Sequence, residues 1–172
     1  MIGISESQAD DLASIERIYP AAFPDEDLLP LVRVLLTQRS TVLSLVTRTE
    51  DAAVGHIIFT PCTLIGQSNR IALLGPLAVA PSQQRQGIGG ALIREGFAQL
   101  EESGVSGVCV LGDPQYYQRF GFAPTETIAP PYPLPAEWKE AWQALAFSNN
   151  VLPLSGTLSV PAAWQEPALW GP

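Results

Sequence analysis

Residues 84–92 read QRQGIGGAL: three polar side chains, then three glycines around one isoleucine, at the entrance to a run of helical character. Glycine is a poor residue with which to start a helix. Crowding it there makes sense where a ligand must approach the backbone, because a helix entrance offers unpaired N–H groups and a positive dipole end to a phosphate. Three phosphate-binding arrangements compete. A P-loop needs Lys and then Ser or Thr after its last glycine, and this stretch has Gly90 and Ala91 instead. A dinucleotide fingerprint ends on Gly or Ala, where this chain has Leu92, and it opens a chain instead of following hairpins. The third is a pyrophosphate held by N–H groups of a loop and first helical turn, without a metal, with Arg85 adding charge at the mouth.

Outward from that stretch, the helix is expected over about 87–102, with Ile88, Leu92, Ile93, Phe97 and Leu100 on its apolar face and Gly104 as its stop. Before it, TVLSLVTR, VGHIIFTPCTLI and RIALLGPLAVA read as three strands joined by the turns EDA and GQSNR, an antiparallel meander. Gly75 and Pro76 do not suit a regular central strand, so they mark a bulge where pairing lapses. After the helix, SGVCVLG reads as a short strand, parallel to the third through a right-handed crossover. Residues 8–23 form a first helix carrying Leu12, Ile15, Ile18, Tyr19 and Ala22. A second runs from about Glu26 to Gln38 on Leu28, Leu31, Val32, Leu35 and Leu36. Beyond Asp113-Pro114 come a short helix on QYYQRF, a strand starting at GFAP, a helix near 136–147 and a late strand in LSGTLSVP.

The chain of 172 residues fits a single domain, and 47% hydrophobic with 15% charged residues marks it as globular. A formal net charge of -8 and a pI near 4.5 argue against nucleic acid as a partner and leave room for a cationic substrate such as an amine. The N-terminus MIGISESQADD lacks the marks of a signal peptide, and no segment has the apolar length to cross a bilayer. Cys62 and Cys109 fit no metal-ligand spacing and read as buried reduced thiols; a single histidine, His56, excludes a histidine-rich zinc site. The expectation is a cytoplasmic protein, monomer or homodimer, with no nucleic-acid, membrane or metal partner.

Gln84-Arg85-Gln86-Gly87-Ile88-Gly89 resembles the Q/R-x-x-G-x-G/A signature of the GNAT superfamily of N-acetyltransferases, and Tyr117-Gln118-Arg119-Phe120-Gly121-Phe122 resembles its Tyr-x-x-x-Gly-Phe segment. PLAVAPS looks like the family's strand and turn before the signature, and LGDPQYYQRFGF is similar to a bacterial subgroup of predicted acetyltransferases. The resemblance covers about residues 1–125. It implies an α/β (α+β) fold whose mixed central sheet is splayed and flanked by helices, as one domain over 1–172, with a proline-rich extension from 126 packed on the core. It also implies acetyl-CoA as co-substrate, entering where the sheet splays, and no metal.

On that resemblance, the pyrophosphate rests on the amides of Arg85, Gln86, Gly87, Ile88, Gly89 and Gly90 behind Gln84, and the pantetheine arm bonds backbone groups of Leu77, Ala78 and Val79. The Val79 N–H is a candidate to polarise the thioester carbonyl. Tyr117 takes the place of the acid that protonates the CoA sulfur, since a phenol is protonated at neutral pH. Tyr116 is its rival and, with Asp113, joins the cofactor-binding set; adjacent helical residues point about 100° apart, so only one of the two tyrosines is expected to face the sulfur. The general base is open between His56, read as a half-buried strand residue, Asp113, whose simpler role is an N-cap, and water. Glu26 and Asp27 are candidates to attract a cationic amine. Cys109 is not expected to carry the acetyl group, so transfer is direct. Trp138, Trp142, Trp164 and Trp170 are assigned to packing by default. The reading is an acyltransferase moving acetyl to a primary amine of a small molecule or peptide; the alternative is a non-catalytic acyl-CoA-binding module.

Overall fold

In the computed structural model, which describes residues 2–148 and 154–171, the chain order is β1 (Ile4–Glu6), α1 (Leu12–Ala22), α2 (Leu29–Thr37), β2 (Leu43–Thr49), β3 (Ala52–Leu64), β4 (Arg70–Val79), α3 (Ile88–Glu102) and β5 (Gly107–Leu111). There follow α4 (Pro114–Tyr117), β6 (Ala123–Pro124), β7 (Ile128–Ala129), β8 (Trp142–Ala146) and β9 (Gly156–Ser159). Two compact units are formed, Met1–Phe59 with Gly75–Ala98, and Thr60–Leu74 with Gln99–Pro172. Strands β3 and β4 and helix α3 each contribute residues to both.

In the first unit β1, β2 and β3 pair antiparallel, Ile4 opposite Thr47 and Val46 opposite His56. The β2–β3 turn places Glu50 at φ 53° and Asp51 at φ 69°, the two positive values that match a tight turn to the twist of its strands. Ile15, Val32, Leu35, Leu45, Ile57 and Phe59 are fully buried and form its core. An ion pair between exposed Arg48 and buried Asp11 ties down its N-terminal edge. Arg48 donates to both oxygens of Asp11, at 2.8 and 2.5 Å, and holds that carboxyl below its ordinary pKa.

Two details of the helices differ from expectation. α2 starts at Leu29 instead of Glu26, with Pro30 in its first turn. A helix begun at Glu26 would put Pro30 inside, where it has no N–H to donate. Glu26 and Asp27 therefore lie in the connecting loop. Leu12, expected on the apolar face of α1, is exposed.

In the second unit β4 pairs parallel with β5, Ile71 opposite Gly107 through Leu74 opposite Val110, which gives the sheet its mixed character. Gly75 follows at φ 148°, a conformation that L side chains rarely adopt, at the expected irregularity. β5 also pairs antiparallel with β8, and β8 with β6. Helix α3 ends as expected at Gly104, where Val105 N–H bonds Leu100 O and Gly104 N–H bonds Glu101 O.

The expected helix over 136–147 is a correction. Residues Ala136–Ala141 make a 3-10 turn, and Trp142–Ala146 is β8. The Ala-, Gln- and Leu-rich segment has helical propensity, and pairing along the whole of β5 overrides it. Three tryptophans pack as expected: Trp142, Trp164 and Trp170 are buried, each with its indole N–H bonded, to Ile128 O, Thr60 Oγ1 and Trp164 O. Trp138 is half-buried.

Candidate active site

The glycine-rich stretch belongs to the first unit. Gln84, Arg85, Gln86 and Gly87 are exposed, Ile88 is buried, and Gly89 and Gly90 are half-buried at the start of α3. Arg85 and Gly87 both take positive φ, 64° and 83°. Left-handed residues at closely spaced positions turn successive N–H groups toward a common side, the backbone form of an anion-holding nest. Ala91 N–H bonds back to Gly87 O at 3.0 Å. The N–H groups of the first turn ahead of it have no carbonyl one turn earlier in the helix to reach. The local geometry fits a pyrophosphate. Arg85 supplies a guanidinium on the exposed side of the loop.

Just upstream, Leu77 and Val79 are half-exposed while Ala78 between them is buried, the alternation of a strand with one open face. Gln84 Nε2 donates to Val79 O at 3.0 Å, tying the loop to the end of β4. That bond was not visible in the sequence.

His56 is not half-buried but fully enclosed. Tyr19 Oη lies 2.7 Å from its Nδ1 and Ser44 Oγ 2.8 Å from its Nε2, and Ser44 Oγ lies 2.7 Å from Ser7 Oγ. Burial, with the positive charge of Arg39 nearby, lowers its pKa to about 3. Both ring nitrogens are engaged and the imidazole is neutral, an arrangement of a structural histidine.

That burial has a stability consequence. The unfolded imidazole takes a proton near 6.5, and the folded one not until about 3. The protein is therefore expected to lose stability as pH falls through that window, by at most about 1.4 kcal/mol per pH unit. Urea midpoints at successive pH values from 7 to 4 check this. His56→Gln should flatten the slope above the carboxylate range, and an unchanged slope would assign the acid sensitivity elsewhere.

The tyrosine-bearing segment belongs to the second unit. Asp113 is exposed and its Oδ1 accepts from Gln115 N–H at 2.9 Å, the N-cap of α4. Tyr116 and Tyr117 have perpendicular rings with centroids 5.0 Å apart. Tyr116 turns toward Arg119, whose guanidinium sits 4.5 Å from its ring centroid, and toward Phe120. Tyr117 packs edge to face on Phe122 at 5.7 Å. Its ring also rests on Gly112, where an added Cβ would come within 2.5 Å of Cε2. Burial, then the neighbouring Tyr116 and Asp113, push its phenol pKa up, so it is held protonated.

Cys62 and Cys109 are buried free thiols. Desolvation pushes Cys62 up to about 12 and Cys109 upward as well, so neither is a ready nucleophile at neutral pH. A pocket of about 330 Å³ opens at the α1–α2 loop of the first unit, walled by Tyr19, Phe23 and Leu28 and rimmed by Asp25, Glu26 and Asp27. Sequence reading reached two of those carboxylates and missed the aromatic walls. Among the described residues no cluster of His, Cys, Asp or Glu could hold a metal ion, and no helix is long and apolar enough to cross a membrane.

Known proteins match this architecture. The acetyltransferase (GNAT) domain model matches residues 40–124, which include the glycine loop and both tyrosines. The uncharacterized N-acetyltransferase YjhQ of Escherichia coli K12 is 39% identical over 153 residues, 85% of this chain and 84% of YjhQ. This chain belongs to the GNAT family. A GNAT family acetyltransferase from Brucella melitensis, solved in complex with acetyl-CoA, aligns at TM-score 0.75 and 34% identity, covering 96% of this chain and 99% of that one. The GNAT protein YhbS of E. coli, solved with CoA, shares the fold at TM-score 0.84 and 23% identity, covering 96% and 92%. The GNAT assignment makes the chain an N-acetyltransferase, with the mixed α/β fold of that family.

Proposed function

We propose that the chain transfers an acetyl group from acetyl-CoA directly to a primary amine of a small molecule or peptide, with residues 1–172 acting as one catalytic domain. The family match running through both units, from residue 40 to 124, supports the single-domain reading. The observation that carries the cofactor assignment is the loop at 85–90, whose positive-φ residues and first-turn amides suit a pyrophosphate. Leu77, Ala78 and Val79 are the backbone partners assigned to the pantetheine arm.

In the reaction the amine lone pair attacks the thioester carbonyl carbon, and the C–S bond breaks as the tetrahedral intermediate collapses. The departing sulfur takes a proton from Tyr117, and the proton shed by the amine passes to solvent. Water is favoured as the base, because His56 has both nitrogens bonded and Asp113 caps a helix. The burial of Cys109 supports direct transfer over an acetyl-cysteine step. The buried thiols also suit a reducing, cytoplasmic setting.

For the acceptor, the pocket at Tyr19 and Phe23 suits an amine carrying further positive charge. Its rim carboxylates make no side-chain hydrogen bond or ion pair among the described residues. The test is thiol release from acetyl-CoA with neutral monoamines, diamines, polyamines and basic peptides. Turnover is expected, strongest with the polycationic acceptors. Tight acetyl-CoA binding with no turnover on any of these amines would overturn the primary-amine acceptor.

A further inference from the structure

We infer that Gln143 is a positioning residue for Tyr117, acting through the Gly112 peptide; the inference rests on the reading of Tyr117 as the acid. Gln143 is the second residue of β8 and is fully buried, an unusual place for an amide. Its Nε2 donates to Gly112 O at 3.1 Å, with Ala141 O at 3.4 Å. Both neighbours are carbonyls, so turning the amide over would set oxygen against oxygen; the nitrogen side is fixed by its surroundings. Among the described residues its Oε1 has no hydrogen-bond partner. Burying such an oxygen carries a cost that an aliphatic side chain at the same position would avoid. The shorter of the amide's two bonds goes to the residue beneath Tyr117, and the longer goes to the carbonyl that itself accepts from Gly112 N–H.

Gly112 is held from both sides. Its N–H donates to Ala141 O at 2.9 Å and its carbonyl accepts from Gln143. The face left bare by the missing side chain receives the Tyr117 ring, since an added Cβ would lie 2.5 Å from Cε2 and 3.0 Å from Cδ2. Phe122 and Tyr116 close on the ring from other directions. One residue further on, Asp113 caps α4, so the joint between strand and helix is pinned at its carbonyl and at its cap. Loosening the Gly112 peptide moves the surface on which the ring rests. A proton donor must lie within hydrogen-bond reach of the leaving sulfur, and small displacements of a reacting group cost rate far more than they cost binding.

A double-mutant cycle tests this. Gln143→Met keeps the volume and removes the donor; Gly112→Ala displaces the ring while leaving Gln143 in place. Each is expected to lower kcat about tenfold with the KM for acetyl-CoA within about twofold of wild type, a split that general loss of structure would not give. In a Tyr117→Phe background neither should lower kcat further, because the proton donor they aim is already gone. Acetyl-CoA titration and thermal melts of every variant establish folding, and if Gln143→Met does not fold, Gly112→Ala decides the matter. Wild-type kcat in the folded variants, or losses that multiply onto Tyr117→Phe, would overturn the positioning role. A silent Tyr117→Phe would instead overturn the acid assignment, and the positioning role with it.

Discussion

Tyr117→Phe is expected to lower kcat by roughly a hundredfold or more while acetyl-CoA affinity stays close to that of wild type, the pattern of a lost general acid. Phenylalanine keeps the ring on Gly112 and against Phe122, so the packing of the segment survives and the hydroxyl alone is removed. The raised pKa of the phenol takes its own titration out of the working pH range. A tyrosine held above its ordinary value of 10.0 donates throughout neutral and mildly alkaline pH. Its deprotonation should therefore not appear as an alkaline limb below that value, and the acidic limb should follow the acceptor amine, which reacts only when neutral. A phenol above a thiol in pKa gives its proton up uphill. It serves by donating a hydrogen bond as charge builds on the sulfur, and the proton it passes to the thiolate is replaced from solvent, which takes up the one shed by the amine. Initial rates of thiol release across pH, for wild type and variant with the same amine, check both statements. A folded Tyr117→Phe with wild-type kcat would remove Tyr117 from the chemistry.

What the sequence made legible follows from how local each determinant is. The loop at 84–90 could be read because glycine conformation and helix-entrance amides are properties of a few consecutive residues, and the positive φ at Gly87 fits that reading. Strands β2 to β5 and helix α3 carried clear periodicity and clear stops. Asp113 was legible as a cap because Asp-Pro before a short helix is itself a local signal. The misses are long-range. β1 has only three residues and is defined by its pairing with β2 about forty positions later. β8 became a strand because β5 offered it an edge, against its own propensity. His56 was visible as a polar strand residue, but its enclosure depends on Tyr19 from α1 and Ser44 from β2. The seat of Tyr117 required knowing that Gly112 lies under the ring and Gln143 beside it, a relation across three elements with no motif of its own.

Valine at both Gly87 and Gly89 is expected to raise the Kd for acetyl-CoA by about a hundredfold or more without unfolding the chain, because on the proposed reading the charge-assisted phosphate bonds depend on the backbone these glycines set. At Gly87 the backbone is the whole issue. A Cβ there would meet nothing within 4 Å, so the protein has room for a side chain, but φ of 83° is a conformation that a β-branched residue resists. Relaxing that strain turns the neighbouring amides away from their common direction, and the valine methyls occupy the approach a phosphate would take. The stability cost is about 1–2 kcal/mol at such a site, small enough for a folded variant. Gly89, half-buried in the first turn of α3, adds bulk beside the same amides. S-acetylpantetheine separates the causes, since it carries the thioester and both pantetheine amides but no pyrophosphate. Wild type and variant should use it at similar rates, while only wild type gains from the full cofactor. A folded double variant that binds acetyl-CoA as wild type does would show that the phosphates are held elsewhere. An equal loss with both donors would show that the loop shapes the thioester site, with no special role for the pyrophosphate.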